Sequence, residues 1–318
     1  MTNIKHWIWL AIISTLILLF FKVGQPRNSD DNSISVVFID SLGKRVSVSS
    51  LERVVVLSGS LTEAWLSGGG KVIGTTEDAI YDRGIVGENL AANVGTVKSP
   101  NIEEILLLKP SFVILNPDIE SHLELDSILT HAEIPHAYIR IDSFGDYLAF
   151  LENVCSATGR WDLFEKNGTG VKNEIESIVE KASNEGSNFG KKKVLLLRVY
   201  STGIKVKATN IFAGTILADL GCVSILDNNF DLASDFSVEA VLLNNPEYIF
   251  VVPMGDTEAV VNNVDGAIIN NEAWADIYAV RNNNVIILPK DLFHYTPNSR
   301  WAESYNYVAR ILYPELFT

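Results

Sequence analysis

The same short pattern occurs twice in this sequence, and it restricts the fold more than any other feature. In residues 100–110 and again in residues 236–246, a capping residue precedes a glutamate by two positions, an apolar run follows, and a proline lies seven residues after the glutamate. This order is typical of a short helix with a capped first turn that ends before the proline. A run typical of a buried strand follows each copy. We therefore predict two units of similar construction.

Around each copy, runs rich in β-branched residues alternate with helical stretches. In the first half we predict a β-hairpin at 35–49, strands at 53–57, 71–75, 112–115 and 137–141, and helices at 61–67, 102–108 and 121–131. In the second half we predict strands at 193–200, 223–226, 248–252 and 284–288, and helices at 212–220, 238–243 and 299–312. Strands joined through helices form crossover connections and mainly parallel sheets. The prediction is an α/β fold of two Rossmann-like lobes.

A helical segment separates the two halves. Residues 144–156 and 171–182 have helical character, and the second stretch carries an apolar stripe at helical spacing, formed by Val171, Ile175, Ile178 and Val179. Gly168 and Gly170 come just before it and predict that this helix begins late or kinks. We predict an N-terminal lobe at 29–155, a long linking helix within 156–187, and a C-terminal lobe at 188–318.

The first residues predict export and a membrane tether. Residues 7–21 carry no formal charge and are flanked by Lys5 and Lys22. As a helix they span roughly 22 Å, less than the ~30 Å hydrocarbon core, so they suit a signal segment or a short anchor. No small-residue cleavage site follows them, and we predict an uncleaved signal-anchor within residues 1–28, with a cleaved and secreted form as the alternative.

Composition and motifs exclude several classes of function. The net charge of −14 argues against nucleic-acid binding, which needs clustered Lys and Arg. The two cysteines, Cys155 and Cys222, fall in different predicted lobes, and we expect small buried side chains rather than a disulfide. The sequence has no nucleophile elbow, phosphate-binding loop or dinucleotide fingerprint. We predict a binding protein rather than an enzyme, and an enzyme that uses the interlobe cleft is the weaker alternative.

The order of short motifs along residues 34–318 resembles one family of receptors. The motifs are Arg53–Leu57 with Ser60–Glu63, Val94–Thr96, Pro100–Pro110, Glu272–Ile277, Ala279–Arg281, Asn284–Pro289 and Leu312–Glu315. In this order they resemble the periplasmic binding proteins of ABC importers for cobalamin, ferric siderophores and haem, whose lobes are joined by a helix. The resemblance implies the class III periplasmic binding fold, a permease and an ATPase as partners, and a metal chelate or corrinoid as ligand, with no covalent cofactor.

The resemblance also gives the repeated glutamates a role. Glu103 and Glu239 correspond to the two family glutamates that pair with arginines on the permease subunits. The repeat supports this independently, because two equivalent lobes that face a two-fold symmetric partner need one acidic docking point each. The lipid-bearing cysteine of Gram-positive relatives is missing here, so the tether must be the N-terminal segment itself.

Ligand-binding candidates follow from the position of the strands. In α/β lobes, ligands bind beyond the carboxyl ends of the strands, which here means the cleft between the lobes. The loop at 290–301 is the richest, because aromatic and cationic side chains together suit a large planar or anionic ligand such as a ferric siderophore, corrinoid or haem. The candidates are Ser60, Asp78, Tyr81, Arg83, Tyr200, Met254, His294, Tyr295 and Arg300.

The histidines do not predict a metal site made of protein groups alone. His122, His131 and His136 lie around one helix, and we interpret them as surface polar residues because Pro135 breaks the helix that would bring them together. Only His294 lies on a predicted cleft loop, where it could bind haem iron with Tyr200 or Met254 opposite. A membrane-attached ligand sensor of the same fold, without transport, is the other open alternative.

Overall fold

A computed structural model describes residues 36–85, 91–184, 190–200, 202–206, 211–227 and 237–317. The predicted signal-anchor lies outside these ranges. Within them, no helix is long and apolar enough to cross a membrane.

The N-terminal lobe contains a parallel sheet preceded by the predicted hairpin. The hairpin pairs β1 (Val36–Ile39) with β2 (Arg45–Val48) in antiparallel register. The strands of the sheet are β3 (Val54–Val56), β4 (Gly74–Thr75), β5 (Ala92–Asn93), β8 (Phe112–Leu115) and β9 (His136–Tyr138). Their order is β5-β4-β3-β8-β9, and all of the pairs are parallel. A separate small ladder pairs β6 (Gly95–Thr96) with β7 (Ser99–Pro100).

Helices flank this sheet. They are α1 (Gly59–Ser67), α2 (Glu77–Tyr81), α3 (Ile102–Leu107), α4 (Glu120–His131) and α5 (Phe144–Thr158). Helix α1 ends at Ser67 as predicted, and three glycines follow it at 68–70. Gly69 has a φ of +83°, and a Cβ on Gly70 would lie 2.1 Å from Nε1 of Trp65, so the chain can turn back over the indole only without a side chain there.

The linking helix contains a π-helical turn at Gly168, where we predicted a late start or a kink. It consists of α6 (Trp161–Phe164), a π-helical turn (Glu165–Thr169) and α7 (Gly170–Asn184). The carbonyl of Asn167 in the π turn accepts a hydrogen bond from the hydroxyl of Tyr147 at 3.2 Å, and a Cβ on Gly168 would lie 2.9 Å from Leu148. The glycine therefore lets the π turn pack closely on α5. We name residues 161–184 the linking helix.

The C-terminal lobe has a mixed sheet that is mostly parallel. Its central strand, β10 (Lys193–Tyr200), pairs in parallel with β13 on one side and β12 on the other, and in antiparallel with β11. The other strands are β11 (Gly203–Val206), β12 (Val223–Ser224), β13 (Tyr248–Met254) and β14 (Val285–Ile287). The helices are α8 (Phe212–Asp219), α9 (Val238–Asn244), α10 (Thr257–Val264), α11 (Tyr278–Arg281), α12 (Lys290–Phe293) and α13 (Trp301–Leu312). A π turn at Asp265–Ile269 and 3₁₀ turns at Glu272–Trp274 and Asn298–Arg300 complete it.

The central strands of the two sheets, β3 and β8 in one and β10 and β13 in the other, are buried on both faces, which is why they are largely apolar. In β3, Val54 and Val56 belong to one apolar cluster and Val55 to another. The first cluster continues through the linking helix into the C-terminal lobe. Trp301 lies in it, with its ring centroid 6.0 Å from that of Phe144 and 5.2 Å from that of Phe212.

The chain therefore has the class III periplasmic binding fold, with two Rossmann-like lobes joined by a long helix. Residues Ser35–Thr318 form one compact unit, so the lobe boundaries at 155/156 and 187/188 stay predictions.

Candidate ligand and docking sites

Contacts between the lobes bring several of the predicted ligand residues together. The loop that precedes α13 reaches the N-terminal lobe through two side chains, those of Tyr295 and Asn298. The Tyr295 hydroxyl donates to Oδ2 of Asp82 at 2.9 Å. Nδ2 of Asn298 donates to the Ser60 carbonyl at 3.0 Å and to Oε2 of Glu63 at 2.9 Å.

Arg83 is the centre of this contact. Its guanidinium donates to the carboxylate of Glu63, to Oγ of Ser60 at 2.6 Å and to the carbonyl of Thr296 at 3.3 Å. It also lies 5.1 Å from the ring centroid of Tyr295. Only 8% of the Arg83 side chain is exposed. Arg83 thus joins α1 to the loop of the other lobe, and its contact with a ligand stays a prediction.

Asp78 and Tyr81 lie on α2 beside this group. The Asp78 carboxylate accepts hydrogen bonds from the amide of Gly59 at 2.7 Å and from the hydroxyl of Thr76 at 2.5 Å. It therefore fixes the first turn of α1, where a negative charge is favourable. Tyr81 ends α2 with 74% of its surface exposed.

The C-terminal lobe contributes Tyr200, Met254 and His294. Tyr200 and Met254 end adjacent parallel strands and are register partners. Nδ1 of His294 lies 3.0 Å from the sulfur of Met254, and its ring centroid lies 4.8 Å from that of Tyr295. In this arrangement no iron ion can lie between His294 and Met254, and haem ligation by this pair would require them to separate.

The surroundings of His294 are positively charged. Burial, followed by the charges of Lys290, Arg198 and Arg83, lowers the pKa of His294 to about 4. The imidazole is therefore neutral at physiological pH. Nζ of Lys290 lies 5.1 Å from the ring centroid of Tyr295, on which Arg83 also rests.

The low pKa of His294 predicts how stability depends on pH. An unfolded chain takes up a proton near pH 6.5, whereas the folded chain does so only near pH 4, so stability falls as the pH drops from 6.5 to 4. Burial of His122 lowers its pKa and adds to the same trend. The slope of the unfolding free energy against pH reports how many more protons the unfolded chain binds than the folded chain. In this window we expect His294→Gln to lower that number by about one.

Urea unfolding between pH 7.5 and 4 measures this slope. His131→Gln is the control, because it makes the same replacement at an exposed position. An identical slope in the His294→Gln variant and the wild type would contradict the prediction.

Arg300 already has carboxylate partners. Its guanidinium donates to Asp291 at 2.7 Å and to Glu303 at 2.8 and 3.0 Å. These contacts, above all the one with Glu303, raise the pKa of Arg300. The side chain is 40% exposed, and its role towards a ligand stays a prediction.

Sequence reasoning missed Arg198. It lies in β10, two residues before Tyr200, and its Nε is buried without a hydrogen-bond partner among the described residues. A buried donor that lacks an acceptor is costly unless a ligand supplies one. The available signal was a cation within the apolar interior of a strand, since the other cation, Lys193, lies at the exposed start of β10. Lys290 lies on a loop that the sequence did single out, but it was not among the candidates.

The two glutamates that we predict to dock on a permease have closely matching surroundings. Glu103 and Glu239 are exposed and lie in the first turns of α3 and α9. Side-chain caps begin both helices: Asn101 accepts from the amides of Glu103 and Glu104, and Ser237 accepts from that of Ala240. The predicted helix repeat is thus present, and the docking role stays a prediction.

Two of the three histidines that we interpreted as surface residues are buried. His122 accepts a hydrogen bond from the amide of Asn116 at 3.0 Å and lies 2.8 Å from the carbonyl of Val97. Nε2 of His136 lies 2.9 Å from Asp126. The interpretation was wrong for both, because these hydrogen-bond partners satisfy the ring nitrogens and allow the rings to be buried. Of the three, only His131 is exposed.

Other metal ligands are not clustered in the described part of the chain. No group of three or more His, Cys, Asp or Glu residues there could hold a metal ion. Cys155 and Cys222 are buried and free, and burial raises the pKa of the Cys222 thiol to about 12.

The family model described as periplasmic binding protein matches residues 54–292. The chain belongs to this family. The match includes both sheets and the whole linking helix. No match is found among curated protein sequences.

Several solved structures share the fold at low sequence identity. Staphylococcus aureus IsdE, complexed with haem, is 19% identical and has a TM-score of 0.66, with 82% of this chain and 98% of that chain covered. SirA of Staphylococcus aureus, complexed with staphyloferrin B, is 20% identical with a TM-score of 0.63, and covers 88% and 98%. The vitamin B12 binding protein BtuF of Vibrio cholerae is 19% identical with a TM-score of 0.63, and covers 82% and 96%.

Proposed function

We propose that this periplasmic binding protein is the extracytoplasmic substrate-binding subunit of an ABC importer. It captures a ferric siderophore between its lobes and delivers it to the permease and ATPase subunits. Corrinoids and haem are the other ligands to test, because similar structures bind vitamin B12 and haem. Residues 7–21 would tether it to the outer face of the cytoplasmic membrane.

The observation that carries the choice of ligand is the positive charge where the lobes meet. Arg83, Arg198 and Lys290 all lie close enough to His294 to lower its pKa. Tyr295 adds an aromatic face to the same group. Arg83 is paired with Glu63, whereas Arg198 and Lys290 form no ion pair among the described residues. Two such cations beside an aromatic ring suit an anionic ferric chelate better than vitamin B12, which has no net charge.

Ligand titration tests this choice. The purified chain is titrated with ferric staphyloferrin B, a ferric catecholate, haem and vitamin B12, and tryptophan fluorescence is followed. We expect Arg198→Met to weaken binding of an anionic ferric chelate roughly tenfold, because a hydrogen bond to a charged group is lost. Lys172→Met, which removes an exposed charge on the linking helix, serves as the control. Binding of none of the four ligands would overturn the proposed ligand class.

Replacement of the two docking glutamates distinguishes an importer from a sensor. Exposed ion pairs contribute about 0–1 kcal/mol each, so Glu103→Ala with Glu239→Ala should slow association with the permease several-fold while ligand affinity stays unchanged. The matched control is Glu124→Ala with Glu258→Ala, which removes one exposed acid from each lobe. Uptake in the glutamate double variant equal to that of the wild type would favour the sensor.

A further inference from the structure

Two leucines are unusually exposed for their type. Among the described residues, Tyr81, Leu107 and Leu243 are the only large apolar residues with more than 70% of their surface exposed, at 74%, 72% and 87%. Tyr81 borders the candidate ligand site. A single exposed leucine needs no explanation, since much of any protein surface is apolar. Leu107 and Leu243 do require an explanation, because of where they lie.

Leu107 and Leu243 occupy the same position in the two copies of the repeat. Leu107 follows Glu103 by four residues, and Leu243 follows Glu239 by four residues. Residues four apart in a helix are neighbours on one face, so each leucine lies one turn beyond its glutamate. Each lobe thus presents an acid and an apolar side chain in the same order.

The backbone after each leucine is also the same. Lys109 has a φ of 45° and Asn245 a φ of 43°, and a proline follows each of them. Left-handed residues of this kind end helices, and the proline prevents their continuation. The chain then enters a buried strand in both lobes, β8 and β13. The two leucines are therefore held in equivalent positions by equivalent turns.

We propose that Leu107 and Leu243 are matched apolar anchors that insert into a recess on each of the two permease subunits, beside the cation that faces the glutamate. The proposal rests on the proposed importer function, and it adds to the acidic contacts a pair of residues that provide affinity. A protein interface commonly has an apolar centre and a polar rim, which is the arrangement that each leucine and glutamate offer. A pair of anchors, one in each lobe, fits a partner with two-fold symmetry.

The two kinds of contact should differ in kinetics. Exposed charges act mainly on the association rate and are screened by salt, whereas buried apolar contacts act mainly on the dissociation rate. Loss of one leucine that is buried in the complex is expected to speed dissociation about tenfold. Loss of both should speed it by roughly the product of the two effects. The leucine effect should persist at high salt, where the glutamate effect shrinks.

The experiment measures binding of the purified full-length chain to a permease–ATPase complex in nanodiscs, one that the wild-type chain binds. The variants are Leu107→Ser, Leu243→Ser, their combination, and the Glu103→Ala/Glu239→Ala double variant. The control, Leu42→Ser with Leu123→Ser, removes two other exposed leucines, which are 57% and 45% exposed. Unchanged urea midpoints show that each variant is folded.

Faster dissociation of both single leucine variants, with the control unchanged, is the expected result. A leucine double variant that dissociates like the wild type, while the glutamate variant associates slowly, overturns this inference and leaves the proposed function intact. Failure of the wild-type chain to bind any permease complex overturns the proposed function itself. A change in self-association of the leucine variants, measured by analytical ultracentrifugation, would assign the leucines to a second copy of this chain and also overturn the inference.

Discussion

Replacement of Trp65 by alanine is expected to lower the free energy of unfolding by about 3–5 kcal/mol. Trp65 is fully buried, and its ring centroid lies 6.2 Å from that of Phe38 and 6.3 Å from that of Phe112. Its Nε1 donates to the carbonyl of Lys71 at 3.0 Å. The large loss follows because Gly70, which has no side chain, cannot fill the space that the indole leaves.

Urea unfolding followed by far-ultraviolet circular dichroism measures this loss without relying on tryptophan fluorescence. Trp161→Ala is the control, since Trp161 is 52% exposed and its removal should change stability by less than about 1 kcal/mol. Equal losses in the two variants would show that Trp65 does not hold the N-terminal lobe together as described.

Removal of the Arg83 guanidinium should be the most damaging single change at the contact between the lobes. Breaking a buried ion pair by removing one partner costs about 3–5 kcal/mol, and the partial exposure of Glu63, at 32%, places Arg83→Met at or below the low end of this range. The loss arises because, among the described residues, the Glu63 carboxylate then keeps Asn298 as its one side-chain partner. Arg83→Lys is expected to recover little, since one ammonium group cannot replace the planar fork of donors.

Arg140→Met is the matched control for this change. Arg140 binds Asp118 on the surface, with the two side chains 38% and 52% exposed, so its loss should cost no more than about 1 kcal/mol. Hydrogen exchange adds a local reading: amides in residues 59–63 and 294–300 should exchange faster in Arg83→Met and not in Arg140→Met. Equal stability of the two variants would contradict the role of Arg83 between the lobes.

The sequence was sufficient to predict the lobes because the order of strands and helices and the helix repeat can be recognised without knowledge of tertiary contacts. The structure contains the alternation of strands and helices, the helix repeat around Glu103 and Glu239, and an irregular turn near Gly168. Short elements were missed: α2 and α12 are 5 and 4 residues long, too short to show helical periodicity.

The candidate site was harder to predict, because its contacts join residues that are remote in sequence. Arg83 meets Glu63 and Thr296 only after α1, α2 and the loop before α13 have packed. The burial of His122 and His136 likewise depends on partners in other segments. Arg198 was missed because a cation within a buried strand violates the expectation that such strands are apolar.

The π turn at Glu165–Thr169 affects the connection as a whole. A π turn contains one residue more than an α-helical turn, and each residue of an α-helix advances the direction of the side chains by about 100°. The extra residue therefore sets the angular phase between the first turn of the linking helix, Trp161–Phe164, and the part that carries Val171 and Ile175. The direction in which the apolar stripe faces α13 therefore depends on a single added residue in the chain.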